Sequence, residues 1–161
     1  MSTRRQATLF VPPPHNPALE ALRTRFNPVQ SDLIRAHVTL CREDEVDDWM
    51  LLSSRLAGIT PIAVTLRFTA PVRDRDLVYL PASGSTESFD SLRHSLLSPG
   101  GQPPRKHQPH ITLIHPRNGT CSDADFMEIA TQVEPFQVTF RAVTLIEQVD
   151  GGRWTDIAAF S

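Results

Sequence analysis

An α+β fold is predicted, a bilobal, duplicated strand-helix-strand-helix-strand unit with mainly antiparallel sheets around a central groove. Three features of the 161-residue sequence carry that prediction. Apolar residues alternate along some short stretches and recur at helical spacing along others, and the order of these stretches occurs twice. Corresponding elements lie about 69, 70, 73, 78 and 74 residues apart. At the third element of each unit stands nearly the same tetrad, "HVTL" at 37–40 and "HITL" at 110–113.

The elements follow in order. "ATLFV" at 7–11 alternates as a strand and stops at Pro12-Pro13-Pro14. Leu19, Leu22 and Phe26 recur at spacings of three and four, which predicts a helix over 17–26 with Pro17 in its first turn. A strand at 36–41 comes next, then a helix at 44–57 and a strand at 62–69. The acids of "EDEVDD" at 43–48 suit that helix's start, where carboxylates favour the positive end of the dipole. The second unit offers a strand at 77–80, a helix at 86–97, a strand at 110–114, a helix at 122–133 opened by Ser122 and Asp123, and a strand at 136–147. Asp150-Gly151-Gly152 is a hairpin-type turn into a last strand at 153–160. With no linker between them, repeats 7–69 and 76–147 and the final strand make residues 1–161 one expected domain.

Composition excludes several classes. No apolar run approaches the ~18 residues of a membrane helix, and "ATLFV" is too short for a signal peptide's apolar region, so no membrane association and a cytoplasmic protein are expected. Cys41 and Cys121 belong to no CxxC pair, which fits a reducing compartment. A net charge of −2 argues against coating long nucleic acid. Charge is nevertheless uneven. Residues 91–119 contain Arg93, Arg105, Lys106 and Arg117 and no acid, a segment suited to a small anion.

Side chains on a strand alternate, so His37 shares a face with Thr39, and His110 with Thr112. Val38, Leu40, Ile111 and Leu113 then face the core. Each His-Thr pair brings a proton-transferring group and a hydroxyl donor to one small volume. Related by a pseudo-twofold axis, two such pairs would face one phosphorus across a cleft, one imidazole taking a proton from the attacking oxygen while the other gives one to the leaving oxygen. Histidine suits both roles because its pKa is about 6.5. The two threonine hydroxyls would hold the non-bridging oxygens. A single His-x-Thr on a strand is usually structural; two at equal rank in a repeat argue for a shared site.

"HVTL" at 37–40, "PHITL" at 109–113 and the opening strand "TLFV", with the strand-helix order of both halves, resemble the 2H phosphoesterase superfamily, which includes 2′-5′ RNA ligase-like proteins and 2′,3′-cyclic phosphodiesterases. The resemblance spans essentially the whole chain. It implies water opening a 2′,3′-cyclic phosphate on a ribose to a phosphomonoester, with reversible 2′-5′ ligation in some relatives. By position it implies His37 and His110 as the catalytic pair, the first as proton donor and the second as acceptor, and Thr39 and Thr112 as phosphate binders. Many relatives carry an arginine where this chain has His115, and here Arg117 stands two residues on. Either Arg117 substitutes from a turn, or the substrate binds differently.

Other residues keep two readings. His115 is a strand-end histidine or a substrate contact, and regular strand parity would turn it away from His110. Arg117 is an exposed loop arginine or a fork on the phosphate. Arg105 and Lys106 lie in a Gly- and Pro-rich loop that either is solvated or binds. Phe10, Phe68, Tyr79 and Trp154 are core residues or nucleobase platforms. His107, His110 and His115 lack helical i, i+4 spacing and a nearby carboxylate or thiol, so no metal and no cofactor are expected. The expected partner is a small cyclic nucleotide or an RNA terminus, bound by a monomer. The competing readings are a non-catalytic nucleotide or RNA-end binder using the same groove, and a metal-dependent hydrolase.

Overall fold

A computed structural model describes all 161 residues. Along the chain run β1 (Thr3–Phe10), α1 (Asn16–Phe26), α2 (Pro28–Leu33), β2 (His37–Cys41), a 3₁₀ turn (Glu43–Glu45), α3 (Trp49–Gly58), β3 (Val64–Phe68), β4 (Val72–Asp74), β5 (Leu77–Ser83), α4 (Glu87–Leu97), β6 (His110–Ile114), α5 (Asp123–Gln132), β7 (Phe136–Phe140), β8 (Val143–Val149) and β9 (Thr155–Phe160). The strands form an open sheet in the order β7-β3-β5-β6-β2-β1-β8-β9, with β4 attached to β5. Every pairing is antiparallel. The α+β class with antiparallel sheets is therefore the observed one.

The two His-x-Thr strands are neighbours at the centre of the sheet, with Val38 opposite Ile111. That register sets each histidine across from the other strand's threonine. β1 and β5 flank the pair, and each carries a bulge at a corresponding place, between Ala7 and Thr8 and between Val78 and Tyr79. Each bulge locally re-aims its strand just before an aromatic residue that reaches a motif histidine. Leu9, Val38, Leu40, Leu80, Ile111 and Ile114 are fully buried beneath the motifs, where α4 adds Phe89 and Leu96. Each such side chain stabilises the fold by about 1.5–3 kcal/mol relative to exposure.

Helix ends follow their local chemistry. Pro17 lies in the first turn of α1. Ser122 and Asp125 form a reciprocal capping box at α5. Asp150 and Gly151, at φ 49° and 71°, make the β8–β9 turn with the two positive φ values that a type I′ hairpin requires. No helix is long and apolar enough to cross a membrane.

Two local expectations are corrected, and two elements are added. The 44–57 helix starts only at Trp49, because Asp48 accepts hydrogen bonds from the Met50 and Leu51 amides and so caps it there; Glu43–Glu45 is a separate 3₁₀ turn. The 136–147 strand is two strands, broken at the exposed residues 141–142. α2 and β4 did not emerge from periodicity.

Candidate active site

All six residues singled out by sequence, His37, Thr39, His110, Thr112, His115 and Arg117, line one cavity of about 440 Å³. Gln6, Arg23, Arg42 and Trp154 line it as well. β2 and β6 have the same burial pattern, with positions two and four buried and positions one and three turned to the cavity. In both strands the fifth residue, Cys41 or Ile114, is buried too, so alternation ends there. That irregularity turns His115 into the cavity against its strand parity.

The two histidines are held alike. The Nδ1–H of His37 donates to the Arg35 carbonyl at 2.7 Å, and the Nδ1–H of His110 donates to the Gln108 carbonyl at 2.8 Å. A carbonyl accepts only, so each ring keeps its proton on Nδ1 and leaves Nε2 free. Phe10 meets His37 edge-on at 6.2 Å, and Tyr79 meets His110 edge-on at 5.7 Å. Burial, aided by the charges of Arg23 and His110, pushes His37 down to about 4, so its imidazole is neutral near pH 7. Burial also pushes His107 down to about 4, with Arg93 and Arg42 adding to the effect. The His107 ring lies 5.9 Å from that of His110, and its Nε2 is 3.2 Å from the Thr39 carbonyl.

Gln6 orients the first threonine. Its Nε2 donates to Thr8 Oγ1 at 2.8 Å and to Thr39 Oγ1 at 3.4 Å. With a lone pair of Thr39 engaged, the hydroxyl hydrogen is free for an oxygen in the cavity.

Two buried arginines, neither of which emerged as a site residue from sequence, cross-brace the motifs. Arg23 of α1 donates from Nε to the Thr112 carbonyl at 3.2 Å and from Nη1 to the Glu20 carboxylate. Glu20 in turn accepts the Ala36 amide, next to His37. Arg93 of α4 donates to the Leu40 carbonyl at 2.6 Å, to both oxygens of Glu45 at 3.0 and 2.7 Å, and to the Arg105 carbonyl at 3.1 Å. Each helix thus holds the motif strand of the other half. The offset between the two arginines, 93 − 23 = 70, equals the helix offset in the repeat, a signal the sequence did contain. Against a burial that would raise it, Glu45 is held down to about 2 by its hydrogen bonds to Arg93 and the Arg42 amide.

The cationic segment 91–119 and the acidic segment 43–48 meet. Arg93 pairs with Glu45, and Arg105 with Asp44 and Glu45. Arg42, Lys106 and Arg117 form no ion pair. Arg117 instead lies against His115, with Nη2 at 3.4 Å from its Nε2 and its amide donating to Nδ1 at 3.1 Å. Burial lowers the His115 pKa, and the Arg117 charge lowers it further. Buried Asn27 fixes this loop, accepting the His115 amide at 2.8 Å and donating to Asn118 Oδ1 at 3.0 Å. Of the aromatic candidates, Phe68 is core.

Cys41 and Cys121 are free and buried, and burial pushes the Cys41 thiol up to about 12, which leaves it no nucleophile. No group of three or more His, Cys, Asp or Glu side chains is arranged to hold a metal ion.

The family model described as the 2′-5′ RNA ligase superfamily matches residues 11–152. No curated protein matches the chain. Among solved structures, E. coli LigT complexed with NADP+ superposes with a TM-score of 0.66 at 18% identity, covering 98% of this chain and 96% of that one. E. coli LigT complexed with 3′-AMP gives 0.64 at 18% identity with the same coverage. A protein described as a phosphoesterase gives 0.65 at 17% identity, covering 99% and 98%. These likenesses concern the fold.

Proposed function

Because the chain belongs to the 2′-5′ RNA ligase superfamily, we propose that it is a metal-independent phosphodiesterase that hydrolyses 2′,3′-cyclic phosphates on RNA ends or small nucleotides. The same groups would serve 2′-5′ ligation, with a 5′-hydroxyl attacking the phosphorus in place of water. One observation carries this reading: two histidines with free Nε2 atoms and two strand threonines meet in a single cavity that also holds cations.

In the proposed reaction the phosphate of the cyclic ester sits between the histidines. Thr39 and Thr112 donate to its non-bridging oxygens, and Arg23, buried and lining the cavity, adds a fixed positive charge where negative charge develops. One Nε2 takes the proton of the attacking water as the new P–O bond forms. The other imidazole, protonated beforehand, gives its proton to the ribose oxygen as that P–O bond breaks. His115 and Arg117 are proposed as further substrate contacts. Residues 1–161 act as a single domain and as a monomer in this reading, each repeat supplying one His-Thr pair. The binding of 3′-AMP by E. coli LigT fits a phosphomonoester product on this fold.

The test is incubation of purified protein with nucleoside 2′,3′-cyclic phosphates and a short cyclic-phosphate-ended RNA, in EDTA. Turnover is expected, with a loss of about 10²–10⁴-fold in His37→Ala and in His110→Ala. Absent turnover, turnover abolished by EDTA, or turnover unchanged in both variants overturns the proposal.

A further inference from the structure

The centre of the groove is nearly symmetric, but its surroundings are not. Three aromatic rings outside the core stand near it. The Phe10 ring is covered by the Arg35 guanidinium at 3.8 Å, which Asp156 pins in place. The Trp154 ring faces Arg4 at 5.4 Å, and Arg4 is held by Glu43. Tyr79 carries no such cation. It is half-buried beside His110 and borders a second cavity, of about 500 Å³, which shares Arg42 and His110 with the groove.

That cavity has the chemistry for a nucleotide. Its wall includes Arg42 and Lys106, neither in an ion pair, while the charge of its third cation, Arg105, is neutralised by Asp44 and Glu45. Its one carboxylate, Asp74, is an acceptor for a sugar hydroxyl or a base amine. The volume lies within the ordinary range of small-ligand sites, about 300–1,000 Å³. At the opposite end of the groove, beyond His37, Arg117 already lies within hydrogen-bond distance of His115.

We propose that the groove continues past His110 into a nucleoside-binding subsite, where Tyr79 stacks on the base and Arg42 and Lys106 hold the 5′-phosphate of the ribonucleotide whose 3′ side carries the reacting phosphate. The inference rests on the phosphodiesterase reading above and sharpens it. The substrate is the 3′ end of an RNA strand, whose penultimate phosphodiester takes the place of that 5′-phosphate, in preference to an isolated cyclic mononucleotide. It also fixes a direction, with the ribose at the His110 end and the attacking water at the His37 end.

Calorimetric titration of the full chain with inorganic phosphate, a nucleoside 3′-phosphate and a nucleoside 3′,5′-bisphosphate separates the parts. Adding the nucleoside is expected to tighten binding about 5- to 100-fold, the scale of one base stacked on an aromatic ring. Adding the 5′-phosphate is expected to tighten it by at least about tenfold, as for charge-assisted hydrogen bonds. Tyr79→Ala removes most of the first step and Tyr79→Phe keeps it. Arg42→Ala with Lys106→Ala removes the second. Arg141→Ala, at an exposed position outside both cavities, leaves both ratios unchanged. Steps that survive in the Tyr79 and Arg42 variants, or that vanish in Arg141→Ala, overturn the subsite. Binding steps that follow this pattern in a protein that hydrolyses no cyclic phosphate would instead overturn the enzymatic reading and leave the subsite standing.

Discussion

Arg93→Met tests the cross-brace beneath the first motif. The guanidinium makes four hydrogen bonds, at 2.6 Å to Leu40, 3.0 and 2.7 Å to Glu45 and 3.1 Å to Arg105, and both charged side chains are nearly inaccessible, at 2% and 7%. Removing one partner of such a pair leaves a buried charge, here met only by the exposed Arg105, and costs up to about 3–5 kcal/mol. The acid gives a second route to the magnitude. Glu45 is depressed from 4.5 to about 2, and at ~1.4 kcal/mol per pH unit that is about 3 kcal/mol. Either figure is a large part of a total stability of about 5–15 kcal/mol. The pH dependence has a definite sign. In the parent protein the contribution of Glu45 is complete above its unfolded pKa and is lost as pH falls from about 4.5 to 2. In Arg93→Met burial raises the Glu45 pKa instead, so the variant's deficit should shrink as pH falls toward 5. Urea unfolding followed by circular dichroism at pH 7 and pH 5, for Arg93→Met and for Arg93→Met with Glu45→Gln, reads both. A loss under about 1 kcal/mol at pH 7, or no recovery in the double variant, refutes the brace.

A Cβ on Gly119 would come within 2.8 Å of the Asn27 side chain, which is itself fixed by His115 and Asn118; Gly119→Ala is therefore expected to destabilise by about 1–3 kcal/mol and to weaken phosphate binding, and unchanged thermal unfolding refutes it. Burial keeps His37 and His107 down to about 4, so the stability this confers is complete above pH ~6.5 and falls between there and pH 4, by up to about 3 kcal/mol for His37 and by less for the half-buried His107, which solvent screens; a urea midpoint flat from pH 7 to 4.5 contradicts it. With the ribose at the His110 end, sulfur in place of the leaving ribose oxygen removes the need for a proton there. His110→Ala should then lose at least about tenfold less on the sulfur substrate than on the oxygen one, while His37→Ala loses equally on both, and the opposite pattern refutes the direction.

The chemistry-bearing residues were legible because a strand has a period of two, which needs no tertiary knowledge to place His37 with Thr39 or His110 with Thr112. His115 escaped the same rule because two buried residues in succession, Leu113 and Ile114, end the alternation. α2 has no buried residue and β4 has none, so neither leaves an apolar period to read. The residues 136–147 read as one strand since β-forming residues continue on both sides of the break at 141–142. Glu43–Glu45 read as a helix start from its charge alone, whereas Glu45 is turned to Arg93, 48 residues away. Arg23 and Arg93 look like solvated positions on amphipathic helices; only superposing the repeats brings them together.

The likeness of the two halves explains why direction is the harder question. A pair of His-Thr strands related by a near twofold offers the same donors to a phosphate whichever way the ester lies, so the centre alone cannot choose an acid. The choice falls to whatever differs at the two ends. At the His37 end burial keeps the imidazole neutral, and its aromatic neighbour is capped by Arg35. The His110 end opens into a cationic cavity with a bare tyrosine. A neutral imidazole is ready to accept a proton from water, and a nucleoside needs a ring to stack on and a cation for its phosphate. Both asymmetries support the proposed direction, with the water at His37 and the ribose at His110, which would reverse the donor and acceptor order that resemblance alone implies.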